Sequence, residues 1–283
     1  MPDLYRRAEA AILEGDARAK CEQTRRLLQD WRQGLLERDT GSPTLPIDDP
    51  GRPALPQLVD PRNLPRRSFS SDVGRLRLLH AFAHIEFNAV NIALDAVYRF
   101  REVPECFIDD WLSVAADEAE HFTMLETELQ RRDSYYGSLA AHGGLWDMVC
   151  KTRDNLLHRM ALVPRVMEAR GLDVTPGMVE RFRQFGDRAA AEILEVIYRD
   201  EIGHVRIGNY WYRELCRQQG LEPTSTFTSL IEKYLGEGLR GPFNRSARIE
   251  AGFENAELEA LERRGPKSAV RSGKYRDPQD RLQ

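Results

Sequence analysis

The sequence predicts an all-α fold in which four long helices form an antiparallel bundle. Apolar residues recur with helical periodicity from Ser71 to about Arg217. No stretch of any length shows the strict alternation of apolar and polar residues that is typical of a β-strand. The joints between the long periodic segments are short, and helices joined in this way pack as antiparallel neighbours.

An N-terminal extension precedes this bundle. Residues 3–38 have the pattern of a charged amphipathic helix, and Gly15 with Asp16 is the expected break within it. Residues 40–66 are rich in proline and are expected to form an extended connector. The extension and its connector therefore form a first segment, residues 1–70.

The bundle itself is predicted within residues 71–217. Ser71 or Asp72 is the expected cap of its first helix, and Pro164 is expected to kink the third. The motif GLDVTPG is predicted to interrupt the chain before a short helix and a turn at Gly186. The four long helices are expected over about 72–100, 105–132, 145–170 and 188–217, and the short one over about 178–185.

A C-terminal extension is expected to follow. Residues 218–263 have the pattern of one or two shorter helices. Residues 264–283 are rich in Lys and Arg, hold almost no large apolar side chains and are predicted to form a disordered basic tail.

Composition excludes several classes of protein. The net charge of −4 gives no global basic field for nucleic acids. The four cysteines lie far apart without a Cys-x-x-Cys pair, which argues against a thiolate zinc site and suits a reducing cytosol. No apolar run is long enough to span a membrane, and the charged N-terminus has no apolar core of a secretory signal. We therefore expect a cytoplasmic protein without a membrane partner.

The strongest chemical signal is a motif that occurs twice. The motif Asp-Glu-x-x-His contains Glu118 and His121 in its first copy, and Glu201 and His204 in its second. In a helix, residues three apart lie on one face, so each motif presents a carboxylate and an imidazole to one point. Both motifs lie on the apolar stripe of their helices, where an ionised carboxylate is costly unless it is paired or bound to a metal.

The other two bundle helices each offer one further carboxylate. Glu86 is the only Glu of the first helix and lies on its apolar stripe, and Glu168 is the best placed on the third. Facing residues of an antiparallel pair should lie equally far from the turn between them. Glu86 and Glu118 satisfy this test about the first turn, and Glu168 and Glu201 satisfy it more loosely about Gly186. A capping or surface position remains the alternative for Glu168.

This ligand order, Glu, Glu-x-x-His, Glu, Glu-x-x-His, is that of di-iron and di-manganese carboxylate bundles. Four carboxylates and two imidazoles suit iron(II) or manganese(II), or a mixed pair, better than zinc, and four Glu neutralise two divalent ions. Asp117 and Asp200 each precede a ligand. They are predicted to accept the free N–H of a ligating histidine and so to fix its tautomer.

His80 and His84 are the alternative metal pair, because they lie four residues apart on one helix. His84 and Glu86 are about 200° apart around that helix and cannot both face its centre. We therefore interpret the two histidines as part of a hydrogen-bonded polar stripe toward the N-terminal segment.

A resemblance to a known family rests on these motifs and on the segments HAFAHIEFNAVNIALDAVYRF, WLSVAADEAEHF, LVPRVMEARGLDVTP, RDEIGHVRIGNYWY and RGPFNRSARIEAGF. The chain is similar to the ferritin-like superfamily and, within it, to an uncharacterised ferritin-like family, domain of unknown function 455. More distantly it resembles the ferritin-like monooxygenase that hydroxylates a modified adenosine of tRNA, in ligand order but not in the flanking segments. The resemblance implies a ferritin-like di-metal four-helix bundle over roughly residues 5–262.

The leading hypothesis is a di-iron oxidase or monooxygenase that activates O2 to oxidise or hydroxylate an organic substrate. Because no rubredoxin-type motif is present, its electrons would come from a separate donor. The alternatives are a hydroxylase that modifies tRNA, an iron-binding or ferroxidase protein without an organic substrate, and a structural bundle without metal. The sequence leaves the substrate, a small molecule or RNA, and the oligomeric state open.

Overall fold

The computed structural model describes residues 1–65, 67–236 and 238–264, and of Arg264 only the backbone. These residues form an all-helical fold without a β-strand, which confirms the predicted fold class at that level. The predicted tail lies outside the described residues from position 265 onward. The α-helices are α1 (Leu4–Leu13), α2 (Ala17–Arg32), α3 (Asp72–Arg99), α4 (Glu105–Gln130), α5 (Gly144–Lys151), α6 (Leu156–Leu162), α7 (Ala169–Gln184), α8 (Arg188–Gln219), α9 (Pro223–Leu235), α10 (Arg245–Glu250) and α11 (Asn255–Arg264).

The chain divides into two compact units. The first contains residues 1–153 and 181–193, and the second contains Asp154–Glu180 and the described residues from Leu194 onward. No helix in the described ranges combines the length and the apolar character that a bilayer crossing requires.

In the first unit, α1 and α2 pack against α3 and α4. Asp16 caps α2 by accepting a hydrogen bond from the backbone N–H of Ala19, which confirms the predicted break. Lys20 anchors this layer: its buried Nζ donates hydrogen bonds to the carbonyl oxygens of Ala11 (2.8 Å) and Ile12 (2.6 Å) and to Oδ1 of Asn91 on α3 (2.7 Å).

The pair α3 and α4 forms the centre of the first unit. Ser71 caps α3, as predicted, through a hydrogen bond from the backbone N–H of Gly74. The two helices pack along their apolar stripes, which are almost fully buried. Helix α3 is 28 residues long and α4 is 26. Each therefore has several buried turns on both sides of a buried glutamate, Glu86 in α3 and Glu118 in α4.

The third predicted helix differs most from expectation. Residues 145–170 do not form one kinked helix: α5 ends at Lys151, and Asn155 caps a new helix, α6. A π-helical segment, Val163–Glu168, follows. Pro164 has no N–H to continue the α-helical ladder, and the wider i→i+5 turn accommodates that loss.

The prediction that GLDVTPG breaks the chain is wrong. These residues lie inside α7, which continues over the positions predicted as a separate short helix. Leu172 is fully buried, and the buried carboxylate of Asp173 receives two hydrogen bonds from Arg248. These tertiary contacts outweigh the low helix propensity of two glycines and a proline. In the second unit α9 packs against α6 and α11. The C-terminal extension is helical, as predicted, but its described residues contain three short helices, α9, α10 and α11, rather than one or two.

Candidate metal centre

The first half of the site lies in the first unit. Glu86 projects from α3, and Glu118 and His121 project from α4 with the i, i+3 spacing that puts both on one face. All three are buried, with exposed fractions of 3%, 0% and 1%. His121 Nδ1 lies 3.3 Å from Oε2 of Glu118 and 3.6 Å from Oε2 of Glu86. The predicted carboxylate of α3 therefore meets the predicted motif of α4.

Burial perturbs the protonation of these groups. Burial, followed by the negative charge of Glu118, holds the pKa of Glu86 well above its usual value. Burial alone lowers the pKa of His121, but the close carboxylates of Glu118 and Glu86 outweigh it and raise that pKa to about 11. Oε2 of Glu86 is buried without a hydrogen bond, since 3.6 Å to His121 exceeds normal hydrogen-bond length. The cluster of Glu86, Glu118 and His121 therefore favours the binding of cations, either protons or a metal ion.

Glu201 completes a group that has the composition of a metal site. One potential ligand atom from each of Glu86, Glu118, His121 and Glu201 lies within 4.8 Å of all the others. Ligand distances of about 2.0–2.2 Å allow two ligands of one ion to be at most about 4.4 Å apart. The group therefore has the composition and the approximate size of a site for one divalent ion.

His204 and Glu168 lie outside this group of four, although both belong to the predicted set of six. His204 is 2% exposed, and its Nδ1 lies 3.9 Å from Oε1 of Glu201 on the same face of α8. Glu168 is half-buried at the end of the π-helical segment. Their roles as ligands stay predictions.

Gly208 is a close-packed position on α8 near two predicted ligands, and it is absent from the residues singled out in the sequence. It lies one turn beyond His204 and two turns beyond Glu201, on the same face of α8. A Cβ atom on Gly208 would lie 2.2 Å from Cβ and 2.4 Å from Cγ of Pro164. Helix α8 can approach the π-helical segment this closely only because residue 208 is glycine. A glycine at helical spacing from the ligands is the sequence signal that would have found it.

The two aspartates that directly precede predicted ligands occupy different environments. Asp117 is exposed, whereas Asp200 is half-buried and accepts a hydrogen bond from Nε of Arg199 at 3.1 Å. Neither belongs to the group of four. Contact with a ligating histidine therefore stays a prediction for both.

His80 and His84 form hydrogen bonds with protein groups. Nε2 of His84 donates to the carbonyl of His142 (2.9 Å), so its Nδ1 accepts from the hydroxyl of Tyr136 (2.9 Å). Nε2 of His80 accepts from the backbone N–H of Gly137 at 2.9 Å. Burial lowers the pKa of both histidines to about 4. Their stripe is hydrogen-bonded, as predicted, but these two face residues 136–142 rather than the N-terminal segment.

Comparison with known proteins identifies a family. A model of the family described as "Protein of unknown function (DUF455)" matches residues 13–259, and the chain belongs to that family. An uncharacterized protein of Haemophilus influenzae is 42% identical over 270 residues, which cover 90% of this chain and 92% of that protein. No solved structure matches. The family match contains all six predicted ligands and Gly208.

Proposed function

We propose that this member of the DUF455 family is a ferritin-like four-helix di-metal protein that activates O2 to oxidise or hydroxylate an organic substrate. The observation that carries the proposal is the buried group of Glu86, Glu118, His121 and Glu201. The proposed centre contains two iron or manganese ions. Its full ligand set is Glu86, Glu118, His121, Glu168, Glu201 and His204.

Charge is the first argument for a metal. Two ionised carboxylates that lie side by side in a protein interior repel each other, and Glu86 and Glu118 have exposed fractions of only 3% and 0%. A divalent cation compensates both carboxylates and uses the deprotonated imidazole of His121 as a further ligand.

The packing of Gly208 supports the two ligands outside the group of four. Pro164 and Gly208 are in close approach and are both 22 residues from Gly186, as expected for an antiparallel hairpin of helices. Glu168 lies one turn from Pro164 in the direction of Gly186, and His204 lies one turn from Gly208 in the same direction. In such a hairpin these two side chains lie at the same level, next to Glu201.

The donor set favours iron or manganese. Oxygen donors outnumber nitrogen donors, and the group of four contains no cysteine. Zinc in structural sites prefers thiolates and four ligands, whereas carboxylate-rich sites with open positions suit Fe(II) and Mn(II). Two Fe(II) ions held here would supply the redox chemistry for reducing O2.

The chain's own residues provide orientation and exclusion of water. His121 and Glu118 are fixed relative to each other by the rigid spacing of α4. Phe87 and Phe122 directly follow two ligands in sequence, and their rings pack with centroids 5.6 Å apart. Both rings are almost fully buried, so they limit access of water from this side. Electrons would come from a separate donor protein.

Metal analysis of two matched variants tests the proposal. Protein purified without chelator and loaded anaerobically with Fe(II) or Mn(II) is expected to hold two ions per chain and to consume O2 when iron-loaded. Glu118→Gln should lose metal because it removes a buried ligand. Glu120→Gln should keep two ions, since Glu120 is exposed and only 3.7 Å from Arg25 in a surface ion pair. A wild-type protein that retains neither metal would contradict the proposal.

The same loaded protein separates two related functions. O2 uptake that requires only added Fe(II), together with a cage of many subunits on a sizing column, would indicate iron storage. Salt-dependent binding of tRNA would instead identify RNA as the substrate. With neither result, a small organic substrate remains the proposal.

A further inference from the structure

We propose that the C-terminal extension is a functional part of the metal centre, because it clamps the π-helical segment that carries Glu168. Arg165 is the positioning residue of this clamp. The inference rests on the proposed function and assigns a role to α9, α10 and α11, which supply none of the six proposed ligands. The family match extends to residue 259 and so includes the extension as far as the first half of α11.

Arg165 is the centre of the clamp. Its side chain is completely buried, and its Nη2 donates a hydrogen bond of 2.5 Å to Oε1 of Glu257 on α11. Its guanidinium carbon lies 4.0 Å from the ring centroids of both Tyr212 and Phe227, and 4.9 Å from that of Phe253. Three aromatic faces and one carboxylate therefore hold this cation.

The carboxylate that binds Arg165 is itself fixed. Oε2 of Glu257 accepts hydrogen bonds from Nη2 of Arg213 (2.5 Å) and from the backbone N–H of Glu254 (2.9 Å). Arg213 belongs to α8, the helix that carries the second Glu-x-x-His motif. Glu257 thus connects the π-helical segment to α8 through two arginines.

A second buried ion pair lies on the other side of Glu168. Arg248 on α10 donates to both carboxylate oxygens of Asp173, at 2.9 and 2.8 Å. Its Nη2 also donates to the carbonyl of Ala169 at 3.2 Å. Phe253 lies between the two pairs, 5.1 Å from the guanidinium of Arg248. The extension therefore binds the chain three residues before Glu168 and one and five residues after it.

The π-helical segment needs this support. An i→i+5 turn is rare and occurs mostly as a short interruption of an α-helix, often at functional sites. A buried arginine is costly unless its geometry is good and its hydrogen bonds are made, and removing one partner of a buried ion pair is strongly destabilising. The buried charge therefore fixes one arrangement: it permits only the register in which Arg165 meets Glu257, and that register orients Glu168.

Hydrogen exchange in the metal-free protein tests the clamp independently of metal. In Arg165→Met, which keeps the apolar stem, backbone amides of residues 165–172 should exchange at least tenfold faster than in wild type, while those of α4 should be unchanged. Arg245→Gln is the matched control, because its pair with Glu262 belongs to the same extension but is exposed. Unchanged exchange in residues 165–172 would overturn the proposal.

Metal content tests the link to the site. Arg165→Met and Glu257→Gln should each retain one ion where wild type and Arg245→Gln retain two. With manganese, the paramagnetic resonance spectrum of an isolated ion should replace that of a coupled pair. Two tightly held ions in both variants would overturn the proposal, and Glu257→Gln decides alone if Arg165→Met does not fold. If wild type binds no metal, the proposed function fails, and hydrogen exchange still decides whether the clamp exists.

Discussion

Replacing Gly208 with alanine perturbs the contact between α8 and the π-helical segment. The new Cβ would lie 2.2 Å from Cβ of Pro164, whereas unstrained carbon atoms are about 3.5 Å apart or more. The two backbones must therefore separate by roughly 1.3 Å, since a proline ring cannot rotate away. Metal–ligand distances stay within about 0.2 Å of their preferred values. The separation should therefore remove the contribution of Glu168 to the site.

Two opposing terms set the change in the free energy of unfolding. Overpacking costs about 1–3 kcal/mol, whereas alanine is favoured over glycine in a helix interior by about 0.5–1 kcal/mol. Gly208→Ala should therefore destabilise the protein by about 1–2 kcal/mol. Gly203→Ala is the matched control in the same helix, because a Cβ there meets nothing within 4 Å. It should stabilise the protein by about 0.5–1 kcal/mol.

Urea unfolding of the metal-free protein, followed by far-UV circular dichroism, measures both changes. Metal content of the loaded variants gives the second measurement, with one ion expected for Gly208→Ala and two for Gly203→Ala. Equal stabilisation by both alanines would refute the packing argument. A destabilised Gly208→Ala that keeps two ions would show that the contact does not position the ligands.

Three further predictions concern other residues. In the metal-free protein, burial and then Glu118 raise the pKa of Glu86, so the folded state keeps a proton that the unfolded chain loses above pH 4.5. As pH rises from about 5 to 7, wild type should therefore lose stability relative to Glu86→Gln, by up to about 1.4 kcal/mol per pH unit. Thermal unfolding of both proteins in the presence of chelator should show that their difference in stability changes with pH. Replacing both His80 and His84 with Gln should leave two ions bound, and loss of all metal from the folded variant would identify them as ligands. Lys20→Met should cost about 2–4 kcal/mol in urea unfolding, because three buried acceptors lose their donor, and an unchanged midpoint would contradict that role.

The parts of the site that depend on one helix could be predicted from the sequence. The spacing of Glu118 and His121 fixes their shared face wherever the helix packs. Glu86 was identifiable because it is a lone carboxylate on an apolar stripe, and an antiparallel pair of similar helices places it opposite Glu118. The group of four contains all three residues, together with Glu201.

The parts that depend on distant residues could not be predicted in the same way. GLDVTPG has a composition typical of a loop, but Asp173 meets Arg248, 75 positions away, and the helix continues. The cage around Arg165 is built from side chains at positions 212, 227, 253 and 257. No local pattern indicates such contacts, because they depend on where the C-terminal extension packs.

The central claim is that Glu86, Glu118, His121 and Glu201 hold a metal ion and that a second ion lies beside it. Crystals of protein loaded anaerobically with Fe(II) allow this to be measured directly by anomalous scattering at the iron absorption edge. The account predicts two peaks per chain, about 3.5–4 Å apart, with the first among these four side chains. Full iron loading with no peak at these residues, or with iron bound only elsewhere on the chain, would contradict it.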